Sequence, residues 1–190
     1  MRNRLEEKWN SITHAIGIGL CLSVFCYGSA VTKALGLVLL VTYIFSVLYH
    51  ASEHGPTKDL MRMFDIVSIQ LSTYGTSISY LVLLDGPSWS YLLLICLAII
   101  SIRYVLVNYD EWFFEKYLVF SCVFSGSVCL ATVLSLAERG NYSLLCYFLA
   151  GISAYLVGLV FYVRDERMWY HTIWHIFVLL GSSIHIFGTI

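Results

Sequence analysis

The chain has 190 residues, of which 59% are apolar and only 12% charged, with a formal net charge of −1. That is about half the roughly 25% charge of a soluble domain, and the near-neutral balance leaves no basic footprint for nucleic acid. Two prolines and 16% aromatic residues exclude a disordered or collagen-like chain, which leaves an integral membrane protein.

A helix needs about 20 apolar residues to cross a hydrocarbon core of about 30 Å. Runs bounded by charges predict seven such spans, at 12–32, 34–51, 63–84, 88–107, 117–137, 142–163 and 170–189. The runs are too long and too continuously apolar for the alternating ten-residue strands of a membrane barrel. The first run is followed by others of the same kind, so it reads as a span and not as a cleavable leader. The expected fold is therefore an all-α, polytopic seven-helix bundle, a single domain over residues 1–190. Trp9, Trp89, Trp112 and Trp169 fall near predicted span ends, where aromatic residues anchor at the membrane boundary. Cys21, Cys26, Cys96, Cys122, Cys129 and Cys146 all fall within apolar runs with no C-x-x-C pair, so they read as packing residues.

Lysine and arginine counts in alternate loops orient such a bundle. One side carries Arg2, Arg4, Lys8, Lys58, Arg62, Arg103, Lys116, Arg164 and Arg167; the other carries Lys33 and Arg139. This asymmetry places the N-terminus in the cytoplasm and the C-terminus outside.

Ionisable groups inside spans are costly and mark function. Here they are His14, His50, Asp65, His171, His175 and His185. His171-Thr-Ile-Trp-His175 sets two imidazoles at i and i+4, on one helix face, a spacing that can hold one metal ion. His50 closes span 2, Asp65 opens span 3, and the histidine pair opens span 7. Three helices thus bring three histidines and a carboxylate to one depth on the cytoplasmic side. Three histidines with an open fourth position form a catalytic zinc geometry. Ser46 lies four residues before His50 on the same face, where its hydroxyl could orient a water, hydrogen-bond Asp65, or simply back-bond to its own helix. His14 begins span 1 and could support the site or line its entrance. His185 lies ten residues, about 15 Å, beyond His175 and is expected to be structural. His54 is expected in a solvated loop.

Taken together, Ser46-x-x-x-His50, Asp65 and His171-x-x-x-His175 resemble the progestin and adipoQ receptor family, and its bacterial hemolysin III branch in particular. Asn10-Ser-Ile-Thr-His14-Ala-Ile-Gly and the closing His171-to-Gly181 stretch are similar to that branch, and the likeness runs over nearly the whole chain. The resemblance implies seven helices with a cytoplasmic N-terminus. It implies zinc on His50, His171 and His175, with Asp65 holding the reacting water and Ser46 beside it. It also implies hydrolysis of a lipid amide, as attributed to adiponectin receptors and alkaline ceramidases. One stretch departs: where the branch continues toward Gly-Thr-Tyr-Thr-Pro, this chain reads Ser72-Thr-Tyr-Gly-Thr-Ser-Ile-Ser79 without proline, so the end of span 3 is expected to be straighter.

The leading expectation is a zinc-dependent hydrolase of a lipid amide or ester bond at the cytoplasmic side, with membrane lipid as substrate, Asp65 as general base and Ser46 supporting the water or the developing oxyanion. Such a site needs unprotonated imidazoles, so metal affinity should fall in acid. Two rivals stay open: a non-catalytic sensor or scaffold of membrane state with structural zinc, and a small transporter.

Overall fold

A computed structural model of the protein describes residues 3–86, 88–107 and 132–190. Among the described residues there are helices and short connections but no strand. In chain order the helices are α1 (Arg4–Tyr27), α2 (Ala30–Ala51), α3 (Pro56–Leu83), α4 (Ser88–Val107), a segment α5 described over 132–138, α6 (Tyr142–Tyr162) and α7 (Tyr170–Thr189). All but the α5 segment are long and apolar enough to cross a membrane. The fifth expected span, 117–137, lies mostly outside the described residues, as do Trp112, Lys116, Cys122 and Cys129. Spans 4, 6 and 7 coincide with α4, α6 and α7 to within a residue.

The first three spans begin earlier than their charges suggest. α1 starts at Arg4, eight residues before the expected start at 12, because Asn3 caps it: the Asn3 side chain accepts the Leu5 N–H at 3.0 Å, and Glu6 and Glu7 occupy the positive end of the helix. The break between spans 1 and 2 was expected at Lys33, on the premise that a charge ends a span. It falls instead at Gly28–Ser29. Ser29 Oγ accepts the Thr32 N–H at 3.1 Å and starts α2, which carries Lys33 near its beginning. α3 starts at Pro56 and not at 63, with proline in the first turn, where its missing N–H costs nothing. Lys58, Asp59 and Arg62 thus ride on helix.

α1, α2 and α3 pack in sequence, α4 leans on α3, and α7 touches α1, α2, α3 and α6. The bundle buries many polar side chains among its apolar core and is apolar outside. Asn10, Gln70, His175, Ser182 and His185 are almost fully buried, whereas Leu22, Leu37, Ile99, Ile100 and Phe187 face outward. That is the organisation expected in lipid, where the surroundings offer no hydrogen bonds and helices are joined by internal ones. Thr42 Oγ1 donates to the Ser68 carbonyl (2.9 Å) and ties α2 to α3. Thr32 Oγ1 donates to the Thr189 carbonyl (2.6 Å) and ties α2 to the far end of α7. Cys21 is buried, while Cys26, Cys96 and Cys146 are exposed on the apolar surface, in keeping with a packing role.

His185 belongs to this framework. It is 1% exposed, and its Nδ1 lies 3.3 Å from the Tyr80 hydroxyl, with Phe148 and Tyr155 rings around it. Gly151 of α6 permits the fit, since a Cβ there would collide with the His185 ring. Gly151→Ala is therefore expected to destabilise the bundle by about 1–3 kcal/mol through overpacking. A drop in the thermal unfolding midpoint in detergent checks this; an unchanged midpoint would show that the ring can yield.

Candidate metal centre

One end of the bundle gathers the start of α1, the end of α2 and the starts of α3 and α7. Here His50, His171 and His175 come together, each buried, with their candidate ligand atoms within 4.8 Å of one another. Their ring centroids lie 5.1 Å apart for His50–His171, 4.8 Å for His50–His175 and 4.7 Å for His171–His175. The pair on α7 owes its alignment to the i, i+4 spacing. α7 itself begins only at Tyr170, so His171 lies in its first turn. Among the described residues this is the group of histidine, cysteine and carboxylate side chains that could hold a metal ion.

Each ring faces an oxygen through its Nδ1. The His50 Nδ1 lies 2.5 Å from Glu7 Oε2. The His175 Nδ1 lies 3.1 Å from the Asn10 carbonyl and 3.4 Å from Thr13 Oγ1. The His171 Nδ1 lies 3.5 Å from Asp165 Oδ2. A carbonyl or an ionised carboxylate can only accept, so for His50 and His175 these contacts assign the proton to Nδ1 and leave the lone pair on Nε2, while the His171–Asp165 approach is an ion-pair distance. This is the arrangement by which histidine ligands are oriented and made more basic. The donor set and its supports therefore fit a zinc-like ion.

The supports come largely from α1. Glu7 also pairs with Lys58 at 3.1 Å. Asn10 Oδ1 accepts the Thr172 hydroxyl at 2.6 Å. Glu6 Oε1 accepts the N–H of Trp169 at 3.2 Å. Trp169 precedes α7 with φ +70°, a left-handed conformation costly for an aromatic residue, and this bond helps to hold it. α1 thereby fixes where α7 starts. Glu7→Gln removes a charge partner from both His50 and Lys58. Metal affinity is expected to fall roughly 10- to 100-fold, which a competitive chelator titration measures.

Sequence reasoning missed Glu7, Asn10 and Asp165. A signal existed: residues 7, 10, 14 and 17 follow the i, i+3, i+7 pattern of one helix face, but starting span 1 at residue 12 hid its first two members.

Asp65 is 9% exposed and Ser46 is 1% exposed. Both line a cavity of about 150 Å³ that also reaches His171 and His175. Asp65 lies outside the three-histidine group. Ser46 Oγ makes neither the back-bond to its helix nor the hydrogen bond to Asp65 considered from the sequence; it is buried without a hydrogen-bond partner among the described residues. The cavity runs from Arg62 and Asp165 at one end to Ser182 and His185 at the other, between α2 and α3 on one side and α6 and α7 on the other. Leu39, Ile69, Ile152, Leu156 and Val178 make much of its wall apolar, with Thr42, Tyr43 and Tyr155 among them. His185 thus reaches the same cavity as the histidine group without joining it. The stretch without proline remains in the wall through Ser72, Thr73 and Thr76, and α3 continues unbroken through it. His54 is exposed between α2 and α3.

Comparison with known proteins places these features in context. Residues 2–186 match the sequence family described as "Haemolysin-III related". The chain is 32% identical to the "Hemolysin-3 homolog" of Bacillus subtilis (strain 168), over 96% of this chain and 92% of that protein. It is 29% identical to "Hemolysin-3" of Bacillus cereus, over 96% of this chain and 89% of that protein.

Proposed function

The chain belongs to the haemolysin-III related family, and on that premise we propose that this multi-pass membrane protein is a zinc-dependent hydrolase of an amide or ester bond in a membrane lipid. The observation that carries the proposal is a set of three buried histidines, each with an oxygen facing its Nδ1, two of which, His171 and His175, line a cavity with a largely apolar wall. The topology that goes with it is seven spans in a bacterial plasma membrane, N-terminus inside and C-terminus outside. The charge asymmetry supports that orientation, and it puts the histidine group on the cytoplasmic side.

His50, His171 and His175 would hold the metal, which when bound with an open position acts as a Lewis acid and makes water nucleophilic near neutral pH. The chain's own residues do the rest. Glu7 and the Asn10 carbonyl keep the rings of His50 and His175 in one tautomer. Asp65, in the cavity wall, accepts the proton of the attacking water and returns it to the leaving amine or alkoxide. Ser46 Oγ, free of any bond to its own helix, orients the water or supports the oxyanion. The apolar wall formed by Ile152, Leu156 and Val178 takes the acyl chain and excludes bulk water from the reacting carbonyl.

The test is incubation of the purified, metal-loaded protein with a bacterial lipid extract and a set of N-acyl and O-acyl lipids, with released fatty acid followed by mass spectrometry. Release that a chelator abolishes is the expected result. No release from any lipid by metal-loaded protein would sink the hydrolase assignment.

A further inference from the structure

His14 of α1 has no part in the metal group, yet it is among the most tightly held side chains of the cavity. It is 4% exposed and lines the cavity wall. Its ring stacks on that of His175, with centroids 3.7 Å apart and planes 14° from parallel. The edge of Tyr43 lies against it, centroids 5.1 Å apart. Tyr43 is seated there because residue 17 is glycine: a Cβ at Gly17 would lie 2.6 Å from the tyrosine ring. Packing alone therefore fixes the imidazole. Neither ring nitrogen has a hydrogen-bond partner among the described residues. Buried polar side chains are nearly always satisfied, and the exceptions call for an explanation. Ser46 Oγ, contributed to the same cavity by α2, is a second buried polar atom without a hydrogen bond. Two such groups from different helices line one cavity, whose wall is largely apolar through residues such as Leu39, Ile152 and Val178 but also carries Asp65, Thr73 and Tyr155.

We propose that His14, with Ser46 in the wall of the same cavity, binds the polar head of a single-chain lipid whose hydrocarbon lies along the apolar part of that wall. An uncharged imidazole offers one donor and one acceptor, and a hydroxyl offers both, so the pair matches a head that itself carries a carbonyl and an N–H. Rigid packing of His14 on His175 sets the distance between this head and the metal group, a preorganised arrangement. The inference rests on the hydrolase reading for its choice of lipid, but it concerns binding and can fail or succeed separately.

The experiment uses the full-length, metal-loaded protein in nanodiscs with radiolabelled oleamide as probe. Binding, metal content and thermal midpoint are measured for the wild type, His14→Leu and His14→Gln. Oleamide affinity should fall about tenfold or more in His14→Leu, the loss expected when a buried hydrogen-bonding partner is removed. It should recover to within a few-fold in His14→Gln, which keeps a donor and an acceptor. Metal content should be unchanged in both. Unchanged oleamide affinity in His14→Leu, equal loss in His14→Gln, or absence of binding by the wild type would overturn the proposal. Loss of metal from His14→Leu would overturn it too, by making His14 a ligand of the ion. If His14→Leu does not fold, carbethoxylation of wild-type His14 by diethyl pyrocarbonate decides: oleamide should protect it, and no protection means no contact. Oleamide that binds through His14 but is never cleaved leaves this inference standing and removes the hydrolase reading. Cleavage indifferent to His14 does the reverse.

Discussion

Replacing His175 with alanine is expected to strip the metal from the protein, lowering bound zinc from about one ion per chain to less than a tenth of that. His175 is 2% exposed and lies within 4.8 Å of both other candidate ligands. Its removal leaves two imidazoles, too few to close a site of the three-ligand kind. The loss should exceed the roughly 10- to 100-fold effect of removing a supporting partner such as Glu7, and His50→Ala should match it. Stability gives a second readout. An ion present at a thousand times its dissociation constant stabilises the native state by about 4 kcal/mol, so a chelator should lower the wild-type unfolding midpoint and leave that of His175→Ala where it is. Metal analysis of the purified variants checks the first point and thermal melts with and without chelator the second. Full zinc content in either alanine variant would end the assignment of these histidines as ligands.

The contrast between what the sequence displayed and what it concealed follows from distance along the chain. The histidines stood out because an imidazole inside an apolar run is costly, and because His171 and His175 repeat at helical spacing. Their convergence with His50 could be anticipated from charge boundaries, since His50 and His171 lie about one turn from a charged residue and His175 about two. The partners of those rings could not. Glu7 and Asn10 sit 43 and 165 residues from the histidines they hold, and they lie before residue 12, where the first apolar run begins. Only the Asn3 cap and the packing of α1 on α7 make that stretch helical and bring it inward. Asp165 was hidden for the same reason, in a connection that reads as a polar loop. Charge boundaries failed at the starts of the first three spans: Lys33 and Lys58 ride on helices because Gly28–Ser29 and Pro56, and not the charges, set the ends. Ser46 and His14 were legible as positions but not as states, since whether a buried hydroxyl or imidazole finds a partner depends on the facing helices.

Asp65→Asn is expected to reduce lipid hydrolysis by about 10²- to 10⁴-fold, the usual worth of a positioned general base, while zinc content stays near that of the wild type. The substitution keeps the shape of the side chain and its capacity for hydrogen bonding but removes the group that takes a proton. Asp65 lies in the wall of the cavity that His171 and His175 also line, outside the group of three candidate ligands. A base should sit within reach of the reacting water without being one of the metal's main attachments. Because the metal stays, the variant separates chemistry from architecture, which the histidine variants cannot do: they remove the ion and the activity together. Ser46→Ala should act in the same direction with a smaller effect, since its hydroxyl orients and does not carry the proton away. In a protein whose zinc is purely structural, serving as a sensor or scaffold, Asp65→Asn would bind the same lipids with the same affinity and no turnover would exist to lose. Kinetic and metal measurements on one preparation distinguish the two cases. A turnover rate equal to wild type at full metal occupancy would remove Asp65 from the chemistry, and a metal content that falls with the rate would make it a ligand instead of a base.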